Sequence, residues 1–216
     1  YHLEEAFDGE LLSIEGLSSG GRFQCLGALS RILYSKNPIV EMGSCFPYPH
    51  PLLDKITSVV EKAHVALGFT EGPSHAEVIV NDVGDVEIID FNPRFVGADV
   101  LQSINNAYGI RIEERLLDWA CGNQSQLQLV QQQFSCLQYV LSPEPLVFES
   151  ITLPAAPEIK FKTAFVKPGT NLGSIERQLD YLGCYLTVMP TFDSALTRSK
   201  DLRQQIKING QLKGAY

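Results

Sequence analysis

Apolar and polar residues alternate along two neighbouring stretches of the chain, 74–80 and 86–91, and both are rich in valine and isoleucine. Such alternation is typical of half-buried β-strands. The segment between them, 82–85, contains the aspartates and the glycine that tight turns favour. We therefore predict that the two stretches pair as an antiparallel hairpin.

A second alternating pattern covers residues 10–17 and 22–33. Two serines and two glycines, at 18–21, separate its halves and supply a turn. The pattern predicts another hairpin, in which Arg31 lies at the end of the second strand.

The segment from Pro51 to Gly68 has apolar residues at steps of three and four, which predicts an amphipathic helix. Pro51 suits its first turn, and Gly68 suits its C-terminal stop. His64 falls outside the apolar stripe in this interpretation, so we expect it to face solvent. Three further helices are predicted: from Asp99 as N-cap to about Tyr108, over 112–122, and from Asp193 as N-cap over 194–206.

A glutamine-rich run, 124–133, marks a change in composition and a boundary. Beyond it the chain predicts strands at 136–141, 159–167 and 185–188. Strands and helices are therefore mixed, and the predicted fold class is α+β with an antiparallel sheet.

Composition narrows the class of protein. The chain has 216 residues, of which 44% are hydrophobic and 19% charged, and no apolar run approaches the eighteen or more residues that span a bilayer. With 17 basic and 25 acidic residues the net charge is −8, and no basic stripe forms. We expect a cytoplasmic globular protein without a membrane or nucleic-acid partner.

The five cysteines are an odd number, and no two are spaced as a Cys-x-x-Cys pair. This pattern argues against a disulfide framework or a zinc knuckle. We interpret the cysteines as mostly core residues.

The first hairpin also carries the candidate chemistry. If its loop closes over 82–85, paired positions sum to 167, so that Glu77 lies opposite Asp90 and His75 lies opposite Asn92. Like charges in directly opposed positions, with Cβ atoms about 4.5–5.5 Å apart, are destabilising. A cation between them is therefore expected, and carboxylates with an amide oxygen suit Mg²⁺.

Arg94 follows the second strand and offers a planar fork of donors for phosphate or carboxylate oxygens. Together these residues indicate metal-assisted phosphoryl transfer. The alternative is an edge hairpin whose exposed acids have Arg94 as a surface salt-bridge partner.

Several motifs together resemble the C-terminal part of ATP-grasp ligases, in particular the carboxylate–amine ligases. The motifs are His75-Ala76-Glu77, Asp90-Phe91-Asn92-Pro93-Arg94, Gly97-Ala98-Asp99, the acidic segment 4–15 and the proline-rich helix entry 49–53. The resemblance covers about the first 120 residues well and the remainder loosely.

The resemblance implies roles for individual residues. Glu77, Asp90 and Asn92 would hold the Mg²⁺ ions that bridge the phosphates of ATP, and Arg94 would steady the transferred phosphoryl group. Arg31 is a weaker candidate for binding phosphate or a substrate carboxylate, with a plain surface arginine as the alternative.

The resemblance also implies a nucleotide-binding hinge, formed by the backbone of Glu4, Glu5, Ala6 and Phe7 at the adenine edge. In the family an acidic residue binds the ribose, and the corresponding position of this chain is Leu11. The nearest acidic residue is Glu10, one position earlier. Because side chains alternate faces along a strand, Glu10 points to the other face unless a bulge intervenes.

As a whole, the resemblance implies an ATP-grasp lobe at 1–123 and an α+β cap module at 134–216. The expected activity is the joining of a small-molecule carboxylate to an amine through an acyl phosphate, with ATP and Mg²⁺, or Mn²⁺ in its place, as cofactors. We expect the chain to be part of a longer enzyme and inactive alone, and its oligomeric state is open, a homodimer included. The alternatives are a non-catalytic ATP-grasp-like scaffold and a carboxylase or purine-pathway enzyme.

Overall fold

The computed structural model describes residues 3, 5–123, 127–142, 144–176 and 180–212. Its strands are β1 (Glu10–Ser19), β2 (Arg22–Ser30), β3 (Ile32–Tyr34), β4 (Asn37–Phe46), β5 (Gly72–Val80), β6 (Val86–Asn92), β7 (Phe134–Val140), β8 (Leu146–Val147), β9 (Ile151–Thr152), β10 (Ile159–Ala164), β11 (Asn171–Leu172), β12 (Gly183–Met189), β13 (Lys207–Ile208) and β14 (Gln211–Leu212). Its helices are α1 (Leu53–Leu67), α2 (Ala98–Tyr108), α3 (Ile112–Ala120) and α4 (Phe192–Arg203). None of the helices in these ranges is long and apolar enough to cross a membrane.

The chain forms two compact units, which we describe separately. The first comprises Tyr1–Ser30, Pro47–Leu101 and Arg111–Leu129, and the second comprises Arg31–Phe46, Gln102–Ile110 and Val130–Tyr216. Both contain antiparallel sheets and helices, so the predicted α+β class is confirmed. The predicted boundary at 124–133 divides the chain differently, because β4 pairs with β7 in the second unit. The assignment of 1–123 and 134–216 as lobe and cap module stays a prediction.

The first unit is built on a four-stranded antiparallel sheet in the order β2-β1-β5-β6. One face of this sheet is covered by α1, with Leu12 and Ile14 of β1 packed against Ile56 and Val60 of the helix. Both predicted hairpins are present. In the hairpin of β1 and β2 the second strand ends earlier than predicted, so that Arg31 lies between β2 and β3 and does not end the strand.

The β5–β6 hairpin has a change of register that decides which residues face each other. Near the turn, paired positions sum to 166, as in Val78 and Ile88, whereas beyond a bulge they sum to 167, as in Glu77 and Asp90. The extra residue is Ile89, because its two neighbours both have partners. In an unbroken register Glu77 would lie opposite Ile89, and Asp90 would face Ala76 in the core. The bulge therefore brings the two acids together.

Helix α1 ends as predicted at Gly68, which adopts a left-handed conformation with φ of 65°. Its start differs from the prediction, because Leu52 is the N-cap and Pro51 precedes it. His64 is also not exposed, since only 2% of it is accessible. It lies four residues after Val60, on the same face of the helix, and the helical repeat therefore buries it.

The His64 ring is held among aromatic side chains on the α1 face of the sheet. Nδ1 donates to Val60 O at 2.8 Å, and Nε2 accepts from Ser74 Oγ at 2.9 Å. The rings of Phe23 and Phe91 lie 4.3 and 4.8 Å away. Burial lowers the pKa of His64, because the charged form loses its hydration.

We expect the first unit to lose stability as the pH falls below about 6.5. The pKa of His64 is lower when folded than when unfolded, so the unfolded chain binds the proton first and the free energy of unfolding decreases on acidification, by at most about 1.4 kcal/mol per pH unit. Urea unfolding at pH 7 and pH 5 measures this for the wild type and His64→Phe. The decrease should be smaller in the variant, and parallel pH profiles would contradict the assignment.

The second unit contains a five-stranded sheet in the order β10-β12-β7-β4-β3, with α4 packed on β7, β12 and β4. The predicted C-terminal strands are thus confirmed as β7, β10 and β12. Two smaller sheets, β11-β8 and β14-β13-β9, complete the unit. Its main core surrounds Tyr185, whose hydroxyl donates to Ser199 O at 2.7 Å.

Cys45 and Cys136 form a disulfide across the β4–β7 pair, which the sequence analysis did not anticipate. Both are fully buried, as expected of core residues. The two cysteines lie 91 residues apart, and only the pairing of distant strands brings them together.

Two predicted helix caps are wrong. Thr191, not Asp193, caps α4, through a reciprocal pair of hydrogen bonds with Ser194. Asp99 lies inside the first turn of α2, because that helix already begins at Ala98.

Candidate functional site

Polar side chains gather on the face of the four-stranded sheet that is turned away from α1. One row across β1, β5 and β6 consists of Ser13, Glu77 and Asp90. The adjacent row consists of Glu15, His75 and Asn92. The residues that alternate with them in β1 and β5, Leu12, Ile14, Ala76 and Val78, point into the core beneath α1. The six polar residues therefore share one face.

The predicted opposition of Glu77 and Asp90 is confirmed by the strand register. The side chain of Glu77 is 28% exposed, and Asp90 is exposed. The amide of Asn92 donates from Nδ2 to Asp90 Oδ2 at 2.6 Å. Two carboxylates and an amide thus lie together at an accessible edge of the sheet.

A buried carboxylate, Glu15, lies in the same site and was not predicted as a site residue. It is fully buried, and its Oε1 lies 2.5 Å from Nδ1 of His75. The other ring nitrogen of His75 lies 3.4 Å from Oε1 of Glu77. One signal was available in the sequence, since Glu15 is the one charged residue of the predicted strand 10–17 beyond its first position.

The loop after β6 folds back onto this face. The backbone N–H of Val96 donates to Glu15 Oε2 at 3.2 Å. Arg94, in the same loop, is exposed and donates from Nη1 to Phe95 O at 2.9 Å. Within the described ranges Arg94 forms no ion pair with Asp90, so the guanidinium is not the surface partner of this acid.

The other arginine candidate, Arg31, is placed in the second unit. Its Nη1 pairs with Glu41 Oε2, and both side chains are at least nine-tenths buried. Tyr181 donates to the backbone carbonyl of Glu41 at 2.7 Å. Arg31 is therefore not a surface arginine, and its binding of phosphate or a substrate carboxylate stays a prediction.

The candidate hinge forms one side of a shallow concavity. Ala6 and Phe7, with the next two residues, face the β5–β6 turn at 81–83 across a space of about 620 Å³. Glu5 is exposed, and Glu4 lies outside the described residues.

Glu10 lies on the α1 face of the sheet. Tyr48 donates to its Oε1 at 2.7 Å, and His50 Nε2 is 3.5 Å from its Oε2. Burial, followed by the hydrogen bond to Glu10, raises the pKa of Tyr48 to about 12. The β1–β5 register runs without a bulge from Glu10 to Ser18. The structure therefore does not bring Glu10 to the face of Glu77, as strand alternation predicts.

The polar face offers side-chain oxygens that could hold a metal ion. Ser13 Oγ, in the row of the two acids, is buried and has no hydrogen-bond partner in the described part of the chain. Among the same residues no group of three or more His, Cys, Asp or Glu side chains is arranged to hold a metal. Two carboxylates with an amide fit Mg²⁺, which takes few protein ligands and completes its shell with water and phosphate oxygens. They do not fit a closed tetrahedral zinc site.

Comparison with known proteins relates the chain to ligases. No family model matches it. It is 24% identical, over 117 residues, to the alanine–anticapsin ligase of Bacillus amyloliquefaciens, a match that covers 52% of this chain and 24% of that protein.

Solved structures match nearly the whole chain. The L-amino acid ligase of Bacillus licheniformis superimposes with a TM-score of 0.84 and 21% identity, over 95% of this chain and 53% of that one. Phosphoribosylglycinamide synthetase of Anaerococcus prevotii superimposes with a TM-score of 0.80 and 18% identity, over 96% of this chain and 55% of that one. A third match is the biotin carboxylase domain of the Hydrogenobacter thermophilus 2-oxoglutarate carboxylase, solved as a dimer with MgADP and bicarbonate. It superimposes with a TM-score of 0.68 and 15% identity, over 93% of this chain and 46% of that one.

The chain therefore spans about half the length of these structures. At these identities the similarity establishes the fold. The resemblance indicated by the motifs is confirmed at that level, and the chain has the ATP-grasp fold.

Proposed function

We propose that this chain supplies the metal- and phosphate-binding part of an ATP- and Mg²⁺-dependent carboxylate–amine ligase. The observation that carries the proposal is the direct opposition of Glu77 and Asp90 on an accessible face, beside Asn92. Two like charges so placed are unfavourable without a cation. The names of the relatives, an alanine–anticapsin ligase and an L-amino acid ligase, support the type of reaction.

In this proposal Glu77, Asp90 and Asn92 hold Mg²⁺. When bound, the ion neutralises charge on the phosphates of ATP. Arg94 is exposed on the loop beside this face, where its planar fork can bind oxygens of the transferred phosphoryl group. The backbone of Ala6 and Phe7 lines the concavity proposed for the adenine edge.

The proposed reaction has two steps. A carboxylate oxygen of the acid attacks the γ-phosphorus of ATP, and the bond from that phosphorus to the bridging oxygen breaks. ADP departs, and an acyl phosphate is formed. The amine nitrogen then attacks the acyl carbon, phosphate departs with the C–O bond electrons, and the nitrogen loses a proton to give the amide. Arg94 would stabilise the charge that develops on the phosphoryl oxygens.

The substrates are small molecules, a carboxylic acid and an amine, and we place the reaction in the cytoplasm. Since the chain spans about half the length of its structural relatives, we propose that the rest of the nucleotide and substrate sites lies outside these 216 residues. A homodimer is one arrangement of the intact protein, as in the carboxylase domain dimer. The 216-residue chain alone is expected to turn over little or no ATP.

A non-catalytic nucleotide-binding or scaffold domain is the second candidate. It is favoured by Glu10, which lies on the α1 face and bonds Tyr48, and by Leu11 at the position that the resemblance gives to the ribose-binding acid. Such a domain would bind nucleotide weakly or not at all and would release no ADP.

A coupled ADP-release assay on the intact protein, with panels of amino-acid pairs and with bicarbonate, separates the candidates. We expect Mg²⁺-dependent ADP release with at least one carboxylate–amine pair, and an amide product of matching amount by mass spectrometry. Turnover with bicarbonate alone would indicate a carboxylase. No turnover with any pair, in a protein with intact fold, would favour the scaffold.

A further inference from the structure

Glu15 is a buried residue of the polar face, and it is the centre of a chain of hydrogen-bonding contacts there. Its carboxylate is fully buried and is approached by two donors from different parts of the first unit. One is Nδ1 of His75, at 2.5 Å from Oε1, and the other is the backbone N–H of Val96, at 3.2 Å from Oε2. Each oxygen of Glu15 thus has its own partner.

Both partners of Glu15 lead to residues of the proposed site. His75, 4% exposed, continues through Nε2 to Oε1 of Glu77 at 3.4 Å. Val96 belongs to the loop that carries Arg94, two residues earlier. Glu15 therefore contacts both His75 of β5, the strand of Glu77, and the loop that carries Arg94.

The position of Glu15 is strongly constrained by its burial. A carboxylate removed from water is costly unless its oxygens keep their hydrogen bonds, so the donors cannot move away without loss. A buried ionic group is weak evidence for a stabilising role, because an apolar residue of similar size often serves stability equally well. The core packed against α1 also lies on the other face of the sheet.

We propose that Glu15 and His75 are positioning residues for the Mg²⁺–phosphate site. The ring of His75 lies between two carboxylates and donates from both nitrogens, so that Glu15 fixes the ring while Nε2–H holds one oxygen of Glu77 and orients this carboxylate toward the ion. Through Val96, the same carboxylate fixes the loop of Arg94. The inference rests on the proposed function, since it assigns these residues to the same site.

Groups that hydrogen-bond a metal ligand orient it, and their removal typically weakens metal affinity by about 10- to 100-fold. Here the metal ligand would be a carboxylate, with an imidazole and a second carboxylate behind it.

Two variants separate the two branches of this chain of contacts. In His75→Asn, the amide N–H takes the place of Nδ1–H and keeps the bond to Glu15, but the contact with Glu77 is lost. In Glu15→Gln, the side chain keeps its size, but its single carbonyl oxygen can accept from His75 or from Val96 and no longer from both. Glu77→Gln tests the metal ligand itself, and His64→Asn is the matched control, a buried histidine on the other face of the sheet.

Two readouts are measured on the intact protein and on each variant that unfolds cooperatively in urea. Calorimetry gives the affinity for a non-hydrolysable ATP analogue with and without Mg²⁺. Hydrogen exchange, without metal or nucleotide, gives the protection of the Val96 amide. If Glu15→Gln does not fold, His75→Asn decides the result alone, because it keeps a partner for Glu15.

We expect His75→Asn to weaken Mg²⁺-dependent binding at least about 10-fold while Val96 stays protected. In Glu15→Gln the donor that loses its acceptor should show the effect, as weaker Mg²⁺-dependent binding for His75 or lower protection for Val96, and His64→Asn should change neither. Wild-type binding in both His75→Asn and Glu15→Gln, with binding lost in Glu77→Gln, would overturn this inference and leave the proposed function standing. No Mg²⁺-dependent binding by the wild type, or full binding by Glu77→Gln, would overturn the proposed function and this inference with it.

Discussion

Replacing Asp90 by asparagine, or Glu77 by glutamine, is expected to remove most Mg²⁺-dependent nucleotide binding, with at least about a 10-fold loss of affinity. Each substitution keeps the size of the side chain and removes one of the two opposed charges. In the metal-free protein the same change relieves like-charge repulsion, so stability should be equal or higher by about 0.2–1 kcal/mol. Calorimetric titration and urea unfolding measure the two effects.

Glu87→Gln is the matched control for these variants. Glu87 lies on β6, pairs with Ile79 and is exposed, so it is an acid of the same strand and the same face, in the next row and not among the proposed ligands. Its replacement should leave Mg²⁺-dependent binding unchanged. Equal losses in Glu87→Gln and Asp90→Asn would mean that general charge, and not a defined site, attracts the nucleotide.

Replacing Val78 by asparagine is expected to destabilise the first unit by about 3 kcal/mol or more. Val78 is fully buried against α1, so the change loses the burial of an apolar side chain and leaves an amide without partners in the core. The free energy of unfolding in urea measures the effect.

Ile79→Asn tests the same substitution one residue later, on the other face of β5. Ile79 is only partly buried, and we expect a loss of about 1 kcal/mol. The low strand propensity of asparagine affects both variants equally. The difference between their losses of unfolding free energy therefore measures the effect of the face on which the residue lies. Equal losses at 78 and 79 would contradict the division of this sheet into a core face and a polar face.

Local patterns were sufficient to predict the hairpin that carries the site. Alternation and turn residues set β5 and β6, and Glu77 was correctly placed opposite Asp90. The structure reaches this pairing differently from the prediction. The loop is one residue longer than expected, and the bulge at Ile89 restores the predicted register beyond it. A bulge depends on packing at both faces, which a single strand sequence does not encode.

The features that were missed depend on contacts between distant segments. Glu15 is identified as a site residue only when His75, sixty positions later, and Val96 approach it. The disulfide of Cys45 requires β4 to pair with β7. Burial of His64 was available in principle from its spacing to Val60, but its aromatic neighbours come from β2, β6 and the segment after α1.

A structure of the intact protein with Mg²⁺ and a non-hydrolysable ATP analogue tests the central claim most directly. The account predicts oxygens of Glu77, Asp90 and Asn92 at about 2.0–2.1 Å from an ion that also binds phosphate oxygens. An ion and triphosphate bound elsewhere, with Glu77 and Asp90 in contact only with solvent, would contradict it.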